Sequence, residues 1–218
     1  MTDEATVEAF TPFADLGAVL EIARLPMPPE GAASAVVEAM RVFGARYDAR
    51  LARFHPEGLP QNVFRIALDL DVDSGRRVLE GHDLSVDALL GPGYDVDEDR
   101  IQLFTYRGAS STSTIQEGLA YALLNPPYGL RAPRAKWGRG ASYGPNEQAW
   151  MRTTLRAFCR DVLDLPDPRH TEHLRFLAWP TDWSTYFDAG KDWWGSFCWS
   201  VEHLERASIT VIAASATD

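Results

Sequence analysis

The sequence predicts an α+β fold in which a mixed or mainly antiparallel sheet is flanked by helices. Two observations lead to this class. Two long segments carry apolar residues at helical spacing, and several shorter segments alternate apolar and polar residues as half-buried strands do. The two patterns do not alternate along the chain, which argues against the parallel sheet of βαβ folds. We therefore expect a single domain over residues 11–218, after a disordered segment over residues 1–10.

Two long helices are predicted, one from about residue 30 to 54 and one from about residue 146 to 164. The first follows the motif PMPP, whose prolines can open a helix but cannot sit inside one, and the motif HPEG ends it. A shorter helix is predicted in STSTIQEGLAYALL, with Ser113 or Thr114 as its N-terminal cap. We expect the two long helices to cover one side of the sheet.

Strands are predicted in the segments NVFRIALDLDV, RIQLFTYRG and LRFLAW. In the first of these, Ile66 and Leu68 share one face with the apolar residues two positions before and after them. The segment RVLEGHDLSVDALLGPG is ambiguous and fits a strand followed by a short helix. Near the N-terminus, FADLGAVLEIARL is a short apolar segment of unassigned type.

The C-terminal stretch DWWGSFCWSVEHLERASITVIAASATD predicts a tryptophan-rich hairpin that ends the sheet. Strand alternation places Phe197 and Trp199 on one face and Trp194 on the other, among small residues such as Cys198. We expect the aromatic face to form a core wall together with the second strand's apolar residues Ile209, Val211 and Ala213. The small-residue face fits either a close-packed layer of structure or a shallow pocket for a ligand or partner.

Charge and composition narrow the classes of function. The formal net charge of −10 favours solubility and a cationic partner, and it argues against binding nucleic acid or an anionic membrane. The two cysteines do not make a disulfide framework, which favours a reducing compartment. The first residues carry no secretory signal and no apolar run is long enough to span a membrane. We therefore expect a cytoplasmic protein.

Two segments combine aromatic and charged residues in a way that is typical of contact surfaces. The segment TDWSTYFDAGKD is either a lid packed over the hairpin or a recognition surface, and RAPRAKWGRG is a basic loop around a tryptophan. With no complete catalytic signature in the chain, they lead to the hypothesis of a non-catalytic binding protein with a basic protein partner, for which an immunity or antitoxin type is the most concrete version. The predicted contact residues are Asp182, Trp183, Tyr186, Asp188, Trp194, Trp137 and Arg139.

Two alternatives remain open. The motif NPPY, residues 125–128, resembles that of methyltransferases that modify amino groups of adenine or glutamine, and ALDLDVDSGR resembles their S-adenosylmethionine loop, with Asp71 and Asp73 in place of glycines. The resemblance implies that Asn125 holds the target amino group and that Tyr128 stacks on the substrate. The third hypothesis is a structural subunit that self-associates through the face of Trp194.

Metal binding is not expected, although two patterns partly resemble metal sites. The motif HTEH places His170 and His173 three residues apart, and DLDVDSGRRVLE spaces its aspartates like a calcium loop. Neither pattern is accompanied by a complete set of ligands. We accordingly expect no cofactor, no metal and no catalytic residue, and the oligomeric state is left open.

Overall fold

A computed structural model describes residues 19–58, 65–69, 79–103, 117–125, 145–192 and 194–215. The contacts between Cα atoms divide the chain into two compact units. The helical unit consists of Met1–Leu20 and Asp83–Phe176, and the sheet unit consists of Glu21–His82 and Leu177–Asp218. The single domain over 11–218 stays a prediction, and the predicted disordered segment lies outside the described residues.

The described chain contains short and long elements of both types. In chain order they are β1 (Leu20–Pro26), α1 (Ala32–Phe54), β2 (His82–Leu84), α2 (Val86–Leu90), β3 (Tyr94–Asp95), β4 (Arg100–Ile101), α3 (Gly118–Leu124), α4 (Pro145–Val162), β5 (Leu174–Ala178), a 3-10 helix (Thr185–Phe187), α5 (Asp188–Lys191), β6 (Ser196–His203) and β7 (Ser208–Ser215).

In the described part of the chain, the main sheet is antiparallel and has five strands in the order β1-β7-β6-β5-β2. Within the described ranges, a second sheet consists of β3 and β4. These sheets confirm the α+β class, the mainly antiparallel sheet and the C-terminal hairpin. The apolar segment left unassigned near the N-terminus contains all of β1 except Pro26, and β1 forms one edge of the main sheet in the described part of the chain.

Both long helices lie where the apolar periodicity predicts them, and a large part of each stripe is buried, whereas Phe54 at the end of α1 is exposed. On α1 the buried residues include Val36, Met40 and Phe43, and on α4 they include Leu155 and Phe158. Helix α1 packs against β6 and β7 of the sheet unit. The predicted packing of α4 on the same side of the sheet stays a prediction.

The hairpin register corrects one detail of the predicted core. Cys198 is paired with Ala213, so Ile209, Val211 and Ala213 lie on the face of Cys198 and not on that of Trp199. This face belongs to the core cluster that includes the buried side of α1. The small residues of β6 therefore allow a helix to approach closely. Alternation within each strand cannot predict this arrangement, because a shift of one residue in register exchanges the two faces.

The predicted strand around Ile66 and Leu68 is described only over residues 65–69. The alternation is confirmed there, since Ile66 and Leu68 pack against the core while Arg65, Ala67 and Asp69 are exposed. Leu68 forms an isolated antiparallel bridge with Ser184. These residues therefore bond with the chain around residue 184 and do not join the main sheet.

In the helical unit, two glycines bring α2 and α3 together. Gly91 ends α2 with φ 76°, and Gly118 begins α3 with φ 81°. A Cβ atom added to Gly118 would lie 2.4 Å from the Cα atom of Gly91. Both the backbone conformation and this close approach require glycine.

The turn between β3 and β4 is held to α4 by Asp99. Its carboxylate accepts a hydrogen bond of 2.5 Å from the Tyr94 hydroxyl and pairs with Arg156 at 2.8 Å. Burial, together with the bond to Asp99, raises the pKa of Tyr94 to about 12. Of the predicted strand RIQLFTYRG, Arg100 and Ile101 form β4, and the residues from 104 onward lie outside the described part.

Candidate binding surface

The segment over residues 181–192, here called the lid segment, folds onto the hairpin. It contains the 3-10 helix and α5, and these short helices contact β6 and β7. The hydroxyl of Ser184 accepts a hydrogen bond of 3.3 Å from the N–H of Tyr186, which caps the 3-10 helix. The sequence predicts either a packed lid or a recognition surface, and the aromatic residues of this segment form a packed lid.

The aromatic side chains of the lid segment point into the core. Trp183 and Phe187 are fully buried, and Tyr186 is 9% exposed. The Trp183 indole N–H donates to the carbonyl of Pro180 at 2.6 Å, and the Tyr186 hydroxyl donates to the carbonyl of Ala213 at 3.4 Å. Burial raises the pKa of Tyr186, and the Glu21 carboxylate raises it further. Trp183 and Tyr186, predicted as contact residues, are thus core residues that anchor the segment.

A glycine allows the lid segment to lie so close to the hairpin. Gly190 accepts a hydrogen bond of 2.7 Å from the N–H of Gly195, and the Ser196 hydroxyl donates to the carbonyl of Phe187 at 2.5 Å. A Cβ atom at Gly190 would lie 2.2 Å from the carbonyl oxygen of Gly195. This contact leaves the lid segment no room to shift toward the hairpin.

The carboxylates of the lid segment point outward. Asp182, Asp188 and Asp192 are exposed, and the Asp188 carboxylate pairs with Lys191 at 2.9 Å on the solvent side. Residues that are neighbours in this segment therefore differ in position. The aromatic side chains anchor the backbone in the core, and the acidic side chains lie on the surface of the lid segment. Asp182 and Asp188 lie on the surface, where a predicted contact residue must be.

Trp194 does not stand on a free face, which corrects the prediction for this residue. It is 3% exposed, and its ring packs edge-on against Phe197 with centroids 5.8 Å apart. Phe197 in turn stacks on Trp199 at 5.0 Å. Strand β6 begins only at Ser196, and Gly195 has φ 124°, so the alternation does not extend back to Trp194. Self-association through Trp194 would need an exposed surface at this residue, and the structure shows none there.

The residues of the methyltransferase resemblance are only partly described. Trp137, Arg139 and Tyr128 lie outside the described residues. Asn125 directly follows α3, and its backbone N–H donates to the carbonyl of Tyr121 at 2.8 Å. The resemblance implies a buried strand before this asparagine, whereas the chain there is helical.

The described residues provide no converging set of metal ligands or reactive thiols. No group of three or more histidine, cysteine, aspartate or glutamate side chains is suitably placed for a metal within this part of the chain. His170 is largely exposed and lies 3.4 Å from Asp167, while His173 contacts the carbonyl of Asp164. Cys159 and Cys198 are buried, and burial raises the pKa of both thiols, so neither is a thiolate at neutral pH.

A buried polar cluster on the hairpin is absent from the sequence-based predictions. Thr210 and His203 are buried, and their side chains lie 3.1 Å apart. The Arg24 guanidinium of β1 donates to the same threonine hydroxyl at 3.2 Å. In a second buried pair, the indole N–H of Trp179 donates a hydrogen bond of 2.9 Å to the hydroxyl of Ser200. Every buried side-chain nitrogen and oxygen of the described residues has a partner, so these groups support the fold.

Among the described helices, none combines the length and apolar character needed to cross a membrane. Comparison of the chain with models of protein families, with curated proteins and with solved structures finds no match.

Proposed function

We propose that the protein is a non-catalytic binding protein that contacts a basic protein partner through the carboxylates of the lid segment. One observation carries this proposal: the aromatic residues of the segment are locked into the core, while Asp182, Asp188 and Asp192 are exposed. The segment is thus an ordered acidic surface and not a loop that needs to fold on contact.

Order of this kind favours binding because less conformational entropy is lost when the partner arrives. The formal net charge of −10 acts in the same direction, since a negative field attracts a cationic partner and raises its association rate. An immunity- or antitoxin-like role is the most concrete form of the proposal. In that role the acidic surface covers a basic face that the partner needs for its own activity.

The proposal predicts that the variant Asp182→Asn/Asp188→Asn/Asp192→Asn binds its partner about tenfold more weakly, because three exposed charges together contribute about 1.4 kcal/mol. The partner is first captured from a lysate of the encoding organism at low salt and released at high salt. Its dissociation constant for each variant is then measured by calorimetry with purified proteins.

The matched control is Glu30→Gln/Glu38→Gln/Glu57→Gln, which removes three exposed carboxylates elsewhere in the sheet unit. We expect it to bind like the wild type apart from a small long-range effect that salt removes. Equal losses in both variants would assign the binding to net charge alone. An unchanged dissociation constant in the lid variant would refute the assignment to this surface.

A cofactor test separates this proposal from the methyltransferase alternative. If the protein is a binding module, S-adenosylhomocysteine leaves its melting temperature unchanged in a thermal-shift measurement. A saturable rise in melting temperature would instead favour the enzyme. In that case Asn125→Ala should retain the shift and lose methyl transfer, since the resemblance assigns Asn125 to the target amino group.

A further inference from the structure

The strand β1 has one side bonded to β7 and one side directed away from it. Met27, directly after β1, donates its backbone N–H to the carbonyl of Ala207 at 2.8 Å, next to the start of β7. Backbone groups alternate in direction along a strand. Because Ile22 and Met27 are an odd number of residues apart, the N–H and carbonyl of Ile22 are directed away from β7, to the outer side of β1. In the described part of the chain, this side of β1 is an edge of the main sheet.

Two arginines of α1, here called the edge arginines, bond to β1, and one of them reaches its outer side. Arg46 donates a hydrogen bond of 2.8 Å to the carbonyl of Ile22, which the alternation directs outward. Arg50, one turn later on the helix, pairs with the carboxylate of Glu21. The helix therefore reaches over the sheet and occupies a hydrogen-bonding position that an added strand would use.

Both edge arginines are held in place by aromatic rings of their own helix. The Arg46 guanidinium lies 5.9 Å from the ring centre of Phe43, and that of Arg50 lies 6.0 Å from the ring centre of Tyr47. Each ring stands three residues before its arginine. Such cation–π contacts restrict the long side chains and lower the entropy that is lost when they bond to β1.

A proline completes the protection of this edge. Pro26, the last residue of β1, shares the outward direction of Ile22 and has no N–H to offer to another strand. Prolines and charged side chains are the devices by which sheet proteins prevent pairing between exposed edges. Here both occur on the same side of one seven-residue strand.

We propose that β1 is a latent strand-pairing surface whose partner is the β1 strand of a second copy, and that the edge arginines keep it closed. Among the described strands, the other edge of the main sheet is β2, which has three residues, so β1 is the described edge that is long enough to support pairing. Two β1 strands related by a two-fold axis pair antiparallel, and the contact closes after two copies because the described strands give each copy one such edge.

The test is the oligomeric state of Arg46→Ala/Arg50→Ala, measured by size-exclusion chromatography with light scattering over a range of concentrations. We expect its mass to rise with concentration to twice that of the wild type. The control is Arg41→Ala/Arg53→Ala, which removes the same charge from exposed positions of the same helix. This control should keep the wild-type mass throughout.

A third variant tests whether the association uses the edge of β1. Leu20 also points outward, and Leu20→Pro removes its N–H at the first position of the strand, where proline is tolerated. Added to the double variant, it should restore the wild-type mass. Association that persists with this proline would refute strand pairing, and a folded double variant with the wild-type mass would refute the closing role of the arginines.

Circular dichroism establishes whether the double variant is folded. If it is not, Arg46→Met alone is measured, because methionine keeps an apolar stem of similar length, frees the carbonyl of Ile22 and leaves the pair between Arg50 and Glu21 in place. A concentration-dependent rise in mass for that variant supports the proposal. A mass equal to that of the wild type at every concentration overturns it.

Discussion

Replacing Gly190 by alanine is expected to lower the free energy of unfolding by about 3 kcal/mol, at the upper end of the usual cost of overpacking. The added Cβ atom would lie 2.2 Å from the carbonyl oxygen of Gly195, 2.6 Å from the Ser196 hydroxyl and 2.7 Å from the Ser215 hydroxyl. A backbone oxygen cannot move aside as a flexible side chain can, so α5 has to move away from the hairpin. Urea denaturation followed by tryptophan fluorescence measures the loss.

Gly44→Ala is the matched control for Gly190→Ala. This glycine lies inside α1, and its added Cβ atom would stand 3.7 Å from the Cβ atom of Ile66, an ordinary van der Waals contact. Alanine is favoured over glycine inside a helix by roughly 0.5–1 kcal/mol, so this variant should be equally or more stable than the wild type. Equal stability of the two alanine variants would show that the lid segment does not pack as closely as the structure has it.

Trp183→Ala is expected to cost about 4 kcal/mol of stability, as is typical for a fully buried aromatic side chain. Trp183 has no exposed surface, belongs to the main core cluster and bonds to the carbonyl of Pro180 through its indole N–H. Its removal leaves a cavity and frees the lid segment from its anchor. The loss should appear in denaturation of the isolated protein, with no partner present.

Asp192→Ala is the matched control for Trp183→Ala. Asp192 belongs to the same segment and is exposed, so its replacement should change stability by no more than about 0.5 kcal/mol. If Trp183→Ala kept the wild-type stability and lost partner binding, Trp183 would be a surface contact, as the sequence pattern suggests. Its burial would then have to be rejected.

Much of the secondary structure could be predicted because its signal is local. The stripes of α1 and α4 extend over many turns, and a long periodic pattern leaves little ambiguity. The inward direction of Ile66 and Leu68 follows from simple alternation in the same way. By contrast, β1 has the sequence LEIARLP, in which buried Ile22 and Ala23 are adjacent, so alternation does not identify it as a strand.

For the candidate site, composition predicted the segment but not the roles within it. Asp182, Asp188, Trp183 and Tyr186 were equivalent members of one charged and aromatic stretch, yet the two acids are exposed and the two aromatic residues are buried. Burial depends on what the rest of the chain places opposite each side chain. The 3-10 helix and the close contact at Gly190 produce that arrangement, and neither has a strong local signal.

The sequence by itself determined the α+β class, the two long helices, the C-terminal hairpin and the acidic charge, because each depends on local periodicity or on composition alone. Only the tertiary structure decided the hairpin register, the burial of Trp183 and Trp194, and the bond from Arg46 to the edge of β1. These features join residues that are far apart in the chain. Their energies depend on distances of a few ångströms between elements, which no pattern along a single segment specifies.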